Sequence, residues 1–376
     1  MLSKLEIVKL ESVIEQEYSR IADNLVMLVV KSLQASPKTA TATTNAWRLA
    51  KLKQMGRLSS AVEAQIVAES KRSRAVIEKA VDNAIEKAND NDMAIFRKAV
   101  ASGAIPEARL ALVGTDSQVF QRYKESILAN CRKAMNLTNT KALEVSKEAY
   151  RNAINSAFID AKTGVKSIGD AVNDACHELG GTGLHVTYIS DRGNVTTYPL
   201  DAAIRRDIVT SFNQSIMKMT LAENEMLGND LVQVSVLGDS RPEHVEFQGK
   251  VYSKSGKSKK YPPLSETGIG TVTGIGGINC RHQLFPYYED LEGSHKNEDA
   301  SKAEEDRINR SYQITQEQRM HERQLRQAKR MVEVDKAGTD KDRLAKSKAL
   351  LDKREQEMKD FIRTTGRGRS IDRERI

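Results

Sequence analysis

The chain has 376 residues, of which 39% are hydrophobic and 29% charged, with one Trp and a net charge of +8. Its length allows two or more domains, and the balance of charged over apolar side chains favours long solvated helices over one large compact core. Three widely spaced cysteines without a C-x-x-C pair exclude a disulfide framework and point to folding in a reducing cytoplasm, while the lack of a signal-peptide core or a bilayer-length apolar run excludes a membrane protein.

Residues 3–34 read as a helix, because Leu5, Val8, Ile14, Tyr18, Ile21, Leu25 and Val30 approximate a helical stripe. The run QASPKTATATT breaks it through Pro37 and small β-branched residues. A short helix is expected to start at Thr44 or Asn45 and close at Gly56. A longer, Ala-rich helix then covers about Ser59 to Ala101, interrupted at Asn89–Asp92. After Pro106 another helix reaches about Ala161, with Phe120, Ile127, Cys131 and Met135 on one face, so Cys131 reads as a small apolar core residue. Gly164 to Leu179 forms a shorter helix stopped by Gly180 and Gly181, and its adjacent Cys176 and His177 read as structural.

Here the period changes. The stretch LHVTYISDRGNVTTYPL alternates β-branched and aromatic residues around a turn at Asp191–Asn194, a hairpin signal. Asp201 is placed to cap the helix that follows, and LVQVSVL (231–237) reads as a buried strand. From Ser301 the chain is charged and poor in aromatics, with two helices separated near Gly338 and a flexible or docking Arg-rich tail. The expected fold class is α+β and predominantly α-helical. Long N-terminal helices precede a small antiparallel β-containing module near 183–288, and charged C-terminal helices follow. The expected domains are 1–139, 140–300 and 301–376.

Charge is unevenly placed. Lys250, Lys254, Lys257, Lys259 and Lys260 fall in one short run with no acid, and residues 301–376 hold 21 basic against 15 acidic groups. Clustered lysines attract polyanions by phosphate contact and counterion release, whereas mixed-charge helices are usually solvated faces.

Chemistry concentrates between the expected strand and Pro286, in GDSRPEHVEFQGK and GIGGINCRHQLFP. The residues singled out are Asp239, Arg241, His244, Gln248, Gly249, Cys280, Arg281 and His282. A metal-free, hydrogen-bonded clasp is the favoured reading, with Asp239 and Arg241 as a buried charge-assisted pair. Zinc is the second reading: Asp239, His244, Cys280 and His282 are a mixed S/N/O set, and Cys280 and His282 at i, i+2 share one side of an extended strand. A Cys280 nucleophile with His244 or His282 as base is the third, and requires an orienting acid. The glycines at 268, 270, 274, 276 and 277 fit neither a P-loop nor a dinucleotide motif, so unusual backbone angles are their expected purpose.

The stretches VQVSVLGDSRPEHVEFQGKVYSKSGKSKKYPP and TGIGTVTGIGGINCRHQLFPY resemble the signature of the phage minor capsid protein family of tailed phages infecting Gram-positive bacteria, a family related in motif plan to Mu F-like head morphogenesis proteins. LDAAIRRDIVTSFNQ upstream and QRMHERQLRQAKRM downstream fit the same plan, so the resemblance covers about residues 140–376. Phe247 stands where the pattern usually has Trp. Leu237 and Gly238 replace a His-x-Gly-like sequence, which removes a possible ligand.

The resemblance implies a structural virion protein with no enzymatic activity and no cofactor. It would sit in the capsid interior or at the portal vertex, assemble in the host cytoplasm, and contact portal protein, other head proteins and packaged DNA, as an oligomer around the portal. The alternative function is a metal-dependent nuclease or toxin-like enzyme using His244, Cys280 and His282.

Overall fold

A computed structural model describes residues 2–35, 43–189, 193–292 and 296–376. Its elements in chain order are helices α1 (Lys4–Gln34), α2 (Thr44–Ala101), α3 (Glu107–Leu110), α4 (Gln118–Lys162) and α5 (Ile168–Thr182), strands β1 (His185–Ile189) and β2 (Val195–Pro199), and α6 (Leu200–Met226). Strands β3 (Leu231–Val234), β4 (Val251–Ser253) and β5 (Leu284–Pro286) follow, then α7 (Glu289–Glu292), α8 (Lys302–Ala337) and α9 (Lys341–Thr365). The fold is predominantly helical with two small antiparallel sheets, as the sequence pattern implies. No described helix is long and apolar enough to cross a membrane.

Several boundaries differ from those expected. Helix α2 runs unbroken through Gly56 and through Asn89–Asp92. A helix-interior glycine costs only about 1 kcal/mol, and the flanking Trp47, Leu58 and Val62 are buried. The polar run survives because its inward residues, Asn89 and Asp92, are buried, and Asp92 accepts a hydrogen bond from the Thr220 hydroxyl at 2.7 Å. Helix α5 passes through Gly180 and Gly181 and ends at Gly183, whose φ of +72° suits glycine. Gly180 serves packing instead, since a Cβ there would lie 3.1 Å from the Val334 side chain. Asp201 lies inside the first turn of α6 rather than capping it, and pairs with Arg326. The hairpin β1–β2 forms in the register His185↔Pro199 to Ile189↔Val195; Asp191 and Arg192 of its expected turn lie outside the described residues.

By proximity the chain gathers into two units, each drawn from distant segments. The first comprises Met1–Val13, Val76–Ala134 and Arg205–Gln316. Its sheet has the order β4-β3-β5, with Val232 opposite both Tyr252 and Pro286. Strand β3 alternates, so Val232 and Val234 turn inward to Met217, Tyr252, Leu264, Ile275 and Leu284. Further apolar packing joins Met93, Phe96, Ile105, Leu227 and Tyr288.

The second unit comprises Ile14–Ala75, Met135–Ile204 and Glu317–Ile376. Ile14, Leu25, Val29, Tyr150 and Ile154 are fully buried in it. The buried Lys51 ammonium donates to the carbonyls of Ser32 (3.0 Å) and Ala35 at the C-terminal end of α1, where a cation is favoured. Burial still pulls its pKa down to about 8. The charged α8 docks through arginines: Arg330 meets Asp23 at 2.8 Å and Arg319 meets Glu15 at 3.2 Å. The Arg-rich tail is docked as well, with Arg373 3.0 Å from Glu15 and Glu374 held by Arg369.

In the first unit, burial and then the nearby Asp92 carboxylate push the pKa of Glu223 up to about 8, against 4.5 unperturbed. A raised folded-state value means that this group's full contribution to stability is present below pH 4.5 and is lost as pH rises through about 8. Glu223→Gln removes that titration. Its melting temperature, relative to the unmodified chain, is expected to rise steadily between pH 5 and pH 8.5. A constant difference across that range in thermal melts would place the ionisation elsewhere.

Candidate functional site

Two loops that the central sheet brings together carry the site. From β3 the chain passes through Ser235–Arg241 into a 3-10 turn, Pro242–Phe247, which buries His244 and Val245. From the far side a glycine-rich loop descends to Cys280 and His282 and enters β5. Gly276 has φ +76°, and a Cβ on Gly274 would overlap the Gly268 carbonyl, so unusual backbone angles and close approach both require glycine here.

Helix α6 holds this loop by its backbone. The Asn213 amide donates to the Cys280 carbonyl at 2.8 Å, Gln214 donates to the Gly276 carbonyl at 3.0 Å, and the Thr210 hydroxyl accepts from the Asn279 amide at 3.3 Å. Asn213 is fully buried and also receives the side-chain amide of Gln283 at 3.2 Å. These three residues were not recognisable from the sequence as site residues. Their spacing, i, i+3, i+4 on one helix face, is the one signal available in advance.

The loops bring His244, Cys280 and His282 together. They are 1%, 2% and 1% exposed. The Cys280 sulfur lies 3.6 Å from His244 Nδ1 and 3.4 Å from His282 Nδ1, and one donor atom from each of the three residues falls within 4.8 Å of the others. His244 Nε2 donates to the Thr273 carbonyl at 2.7 Å, because a carbonyl can only accept. That fixes the tautomer of the neutral ring and turns the Nδ1 lone pair toward the sulfur. Burial lowers the pKa of both rings; for His282 the His244 and Arg241 charges add to it and bring the value to about 3. Both imidazoles are therefore neutral. Burial pushes the Cys280 thiol up. A sealed thiol of raised pKa is the environment of an unreactive cysteine, and no carboxylate hydrogen-bonds either ring among the described residues, so the geometry does not support a Cys280 nucleophile.

Around this centre the other expected residues take different partners from those anticipated. Asp239 does not pair with Arg241. Its carboxylate meets Lys4 Nζ at 2.7 Å and accepts from the Thr315 hydroxyl at 3.2 Å. Burial alone would raise its pKa, but Lys4, Arg281 and Thr315 together hold it below the usual carboxylate range. So engaged, Asp239 is also not among the converging donor atoms. The Nε and Nη2 of Arg241 are buried without a hydrogen-bond partner among the described residues. Arg281 instead forms a two-pronged pair with the buried Glu11, at 2.8 Å for both bonds. Gln248 clips the approach to the turn, accepting from the Leu237 amide and donating to Ser240 Oγ at 3.1 Å. Gly249, at φ +71°, returns its amide to the Val234 carbonyl at 2.9 Å.

The lysine run leaves β4 as an exposed loop anchored by Asp230, which accepts from the Ser255 amide at 2.8 Å and from the Ser253 hydroxyl. Acids distant in sequence reach three of its lysines: Lys250 pairs with Asp299 at 2.5 Å, Lys254 with Glu225 and Lys260 with Glu289. Lys257 and Lys259 are exposed and make no ion pair among the described residues.

Comparison with known proteins agrees with the motif resemblance. The profile of a family described as Phage minor capsid protein 2 matches residues 7–363. A structural protein of Lactococcus phage LL-H is 29% identical over 292 residues, covering 75% of this chain and 76% of that protein. A structural protein of Lactococcus phage mv4 is 43% identical over 70 residues, 19% of this chain and 54% of the relative. No solved structure matches the chain.

The Glu11–Arg281 pair tests how the loop is held. Removing one partner of a buried ion pair typically costs about 3–5 kcal/mol, because the other charge stays buried. Glu11→Ala is expected to lose stability within that range in urea unfolding: partial solvent access of Arg281 limits the cost, while Arg205, 4.0 Å from Glu11, loses the same carboxylate and adds to it. It should also accelerate amide exchange across Gly277–His282, and unchanged exchange there would show that the loop is held without Glu11.

Proposed function

The chain belongs to the phage minor capsid protein 2 family, a family of virion structural proteins, and from that premise we propose that it works within the head beside the portal, where its lysine loop contacts packaged DNA. The observation that carries the DNA contact is the exposed Lys257–Lys259 tip. A loop pinned at its base by Asp230 presents two lysines without carboxylate partners among the described residues, at the end of a buried strand. A loop backbone ordered in this way suits phosphate recognition, because little backbone freedom remains to be lost on binding. The neighbouring Lys254 and Lys260 sit in exposed pairs, which phosphate oxygens can replace at small cost. The portal and other head proteins as partners, and any ring-like assembly around the portal, rest on the family resemblance.

The test is binding of duplex DNA by the full chain at several salt concentrations. Lys257→Glu/Lys259→Glu is expected to weaken binding and to reduce the slope of log K against log salt by about 2, since each phosphate contact contributes about 0.9. Circular dichroism of the variant should be unchanged, because neither side chain packs inward. Unaltered affinity and slope would remove the loop from the DNA contact, and absence of the protein from portal-containing heads would remove the portal from its partners.

A further inference from the structure

The atoms that close around Cys280 have the spacing and chemistry of a transition-metal site, and we infer that His244, Cys280 and His282 bind a borderline-soft divalent ion of the zinc class through two imidazole nitrogens and one thiolate, with water completing the coordination. This inference is independent of whether the lysine loop binds DNA.

Distances decide first. Zn–S bonds of about 2.3 Å and Zn–N bonds of about 2.0–2.1 Å, set at the tetrahedral angle, place sulfur and nitrogen about 3.5–3.6 Å apart. The two S···Nδ1 separations are 3.6 and 3.4 Å. A hydrogen-bonded chain, Nδ1–H···S–H···Nδ1, uses similar separations and is the competing arrangement. That chain, however, asks only that each imidazole meet the sulfur. Here the two rings also approach each other, with centroids 5.2 Å apart at 62°, and one donor atom from each of the three residues lies within 4.8 Å of the other two. His282 Nε2 is buried without a hydrogen-bond partner among the described residues in either arrangement, so that atom does not separate them.

Donor chemistry and surroundings agree. Thiolate with neutral imidazole is a zinc-type set, and a ligating histidine commonly donates its remote N–H to a backbone carbonyl, as His244 does to Thr273. The binding step is balanced: the Cys280 S–H bond breaks, a sulfur–metal bond forms, and one proton leaves to solvent. An ion here would join the Pro242–Phe247 turn, the glycine-rich loop and the entry to β5 at one point.

The experiment uses the full chain purified without a histidine tag. Elemental analysis is followed by removal of metal with a chelator and titration with Co²⁺ and then Zn²⁺. The expected results are about one ion per chain, a thiolate-to-cobalt charge-transfer band with the visible spectrum of tetrahedral cobalt, bleaching by zinc, and release of about one proton per ion. Cys280→Ser should abolish the charge-transfer band. Should that variant fail to fold, Cys131→Ala/Cys176→Ala leaves Cys280 as the sole thiol and must keep the band. Absence of the band and of retained metal at saturating Co²⁺ and Zn²⁺ overturns the inference, as does persistence of the band in folded Cys280→Ser or its loss in the double variant.

Discussion

The glycine-rich backbone between Gly268 and Asn279 is the constraint from which the site follows. Four of its residues, Gly268, Gly270, Gly276 and Asn279, have positive φ, and two more glycines lie where any side chain would strike a neighbouring carbonyl. Such a path cannot form a strand ladder, yet Gly274–Gly277 is buried, and buried backbone groups must find partners. They find them partly within the loop, as in the Ile278 amide to the Val272 carbonyl at 2.9 Å, and partly on α6. Asn213 and Gln214 act as substitutes for a neighbouring strand. Only with that accounting closed does the chain arrive at Cys280 in the orientation that meets both histidines.

Charge is the second constraint. A chain with this fraction of ionisable residues cannot exclude them from its interior, so it buries them as pairs. Glu11 with Arg281, Asp239 with Lys4, and Arg330 with Asp23 each place a carboxylate inside and leave the cation's side chain partly exposed. Such pairs add little net stability, because desolvation offsets most of the attraction, but losing one member leaves a stranded charge. They therefore specify which segments meet more than they hold them together. Arg241 departs from this rule. Two of its nitrogens, Nε and Nη2, are buried without a hydrogen-bond partner among the described residues.

The legible parts of the fold were those with a period. Helical stripes located the helices, alternation located the hairpin, and the concentration of Cys, His and Gly around NCRH marked the cluster that the structure assembles. Breaks were read less well. Gly56, Gly180 and the Asn89–Asp92 run each carry the local signature of a helix end, and each is overridden by tertiary packing that a local reading does not contain. Partners at long range had no signal at all. Lys4 and Asp239 are 2.7 Å apart but lie in the first helix and after β3, whereas Arg241, the partner that sequence proximity suggests, is only two residues from Asp239. The same blindness inflated the lysine run, whose local excess of charge is reduced by acids from α6, α7 and the segment before α8.

The short sheet ties the Cys–His cluster and the lysine loop to one another. Strand β3 pairs on one edge with β4, which leads into the lysine loop, and on the other with β5, which the Cys280–His282 run enters. Each pairing spans only three residue pairs, so register depends on what is attached at the ends. At the β5 end the attachment is the His244–Cys280–His282 centre together with the Glu11–Arg281 pair. At the β4 end it is Asp230 bonded to Ser253 and Ser255. A sheet this small is marginal by itself, and the two anchors convert it into a fixed base for the Lys257–Lys259 tip.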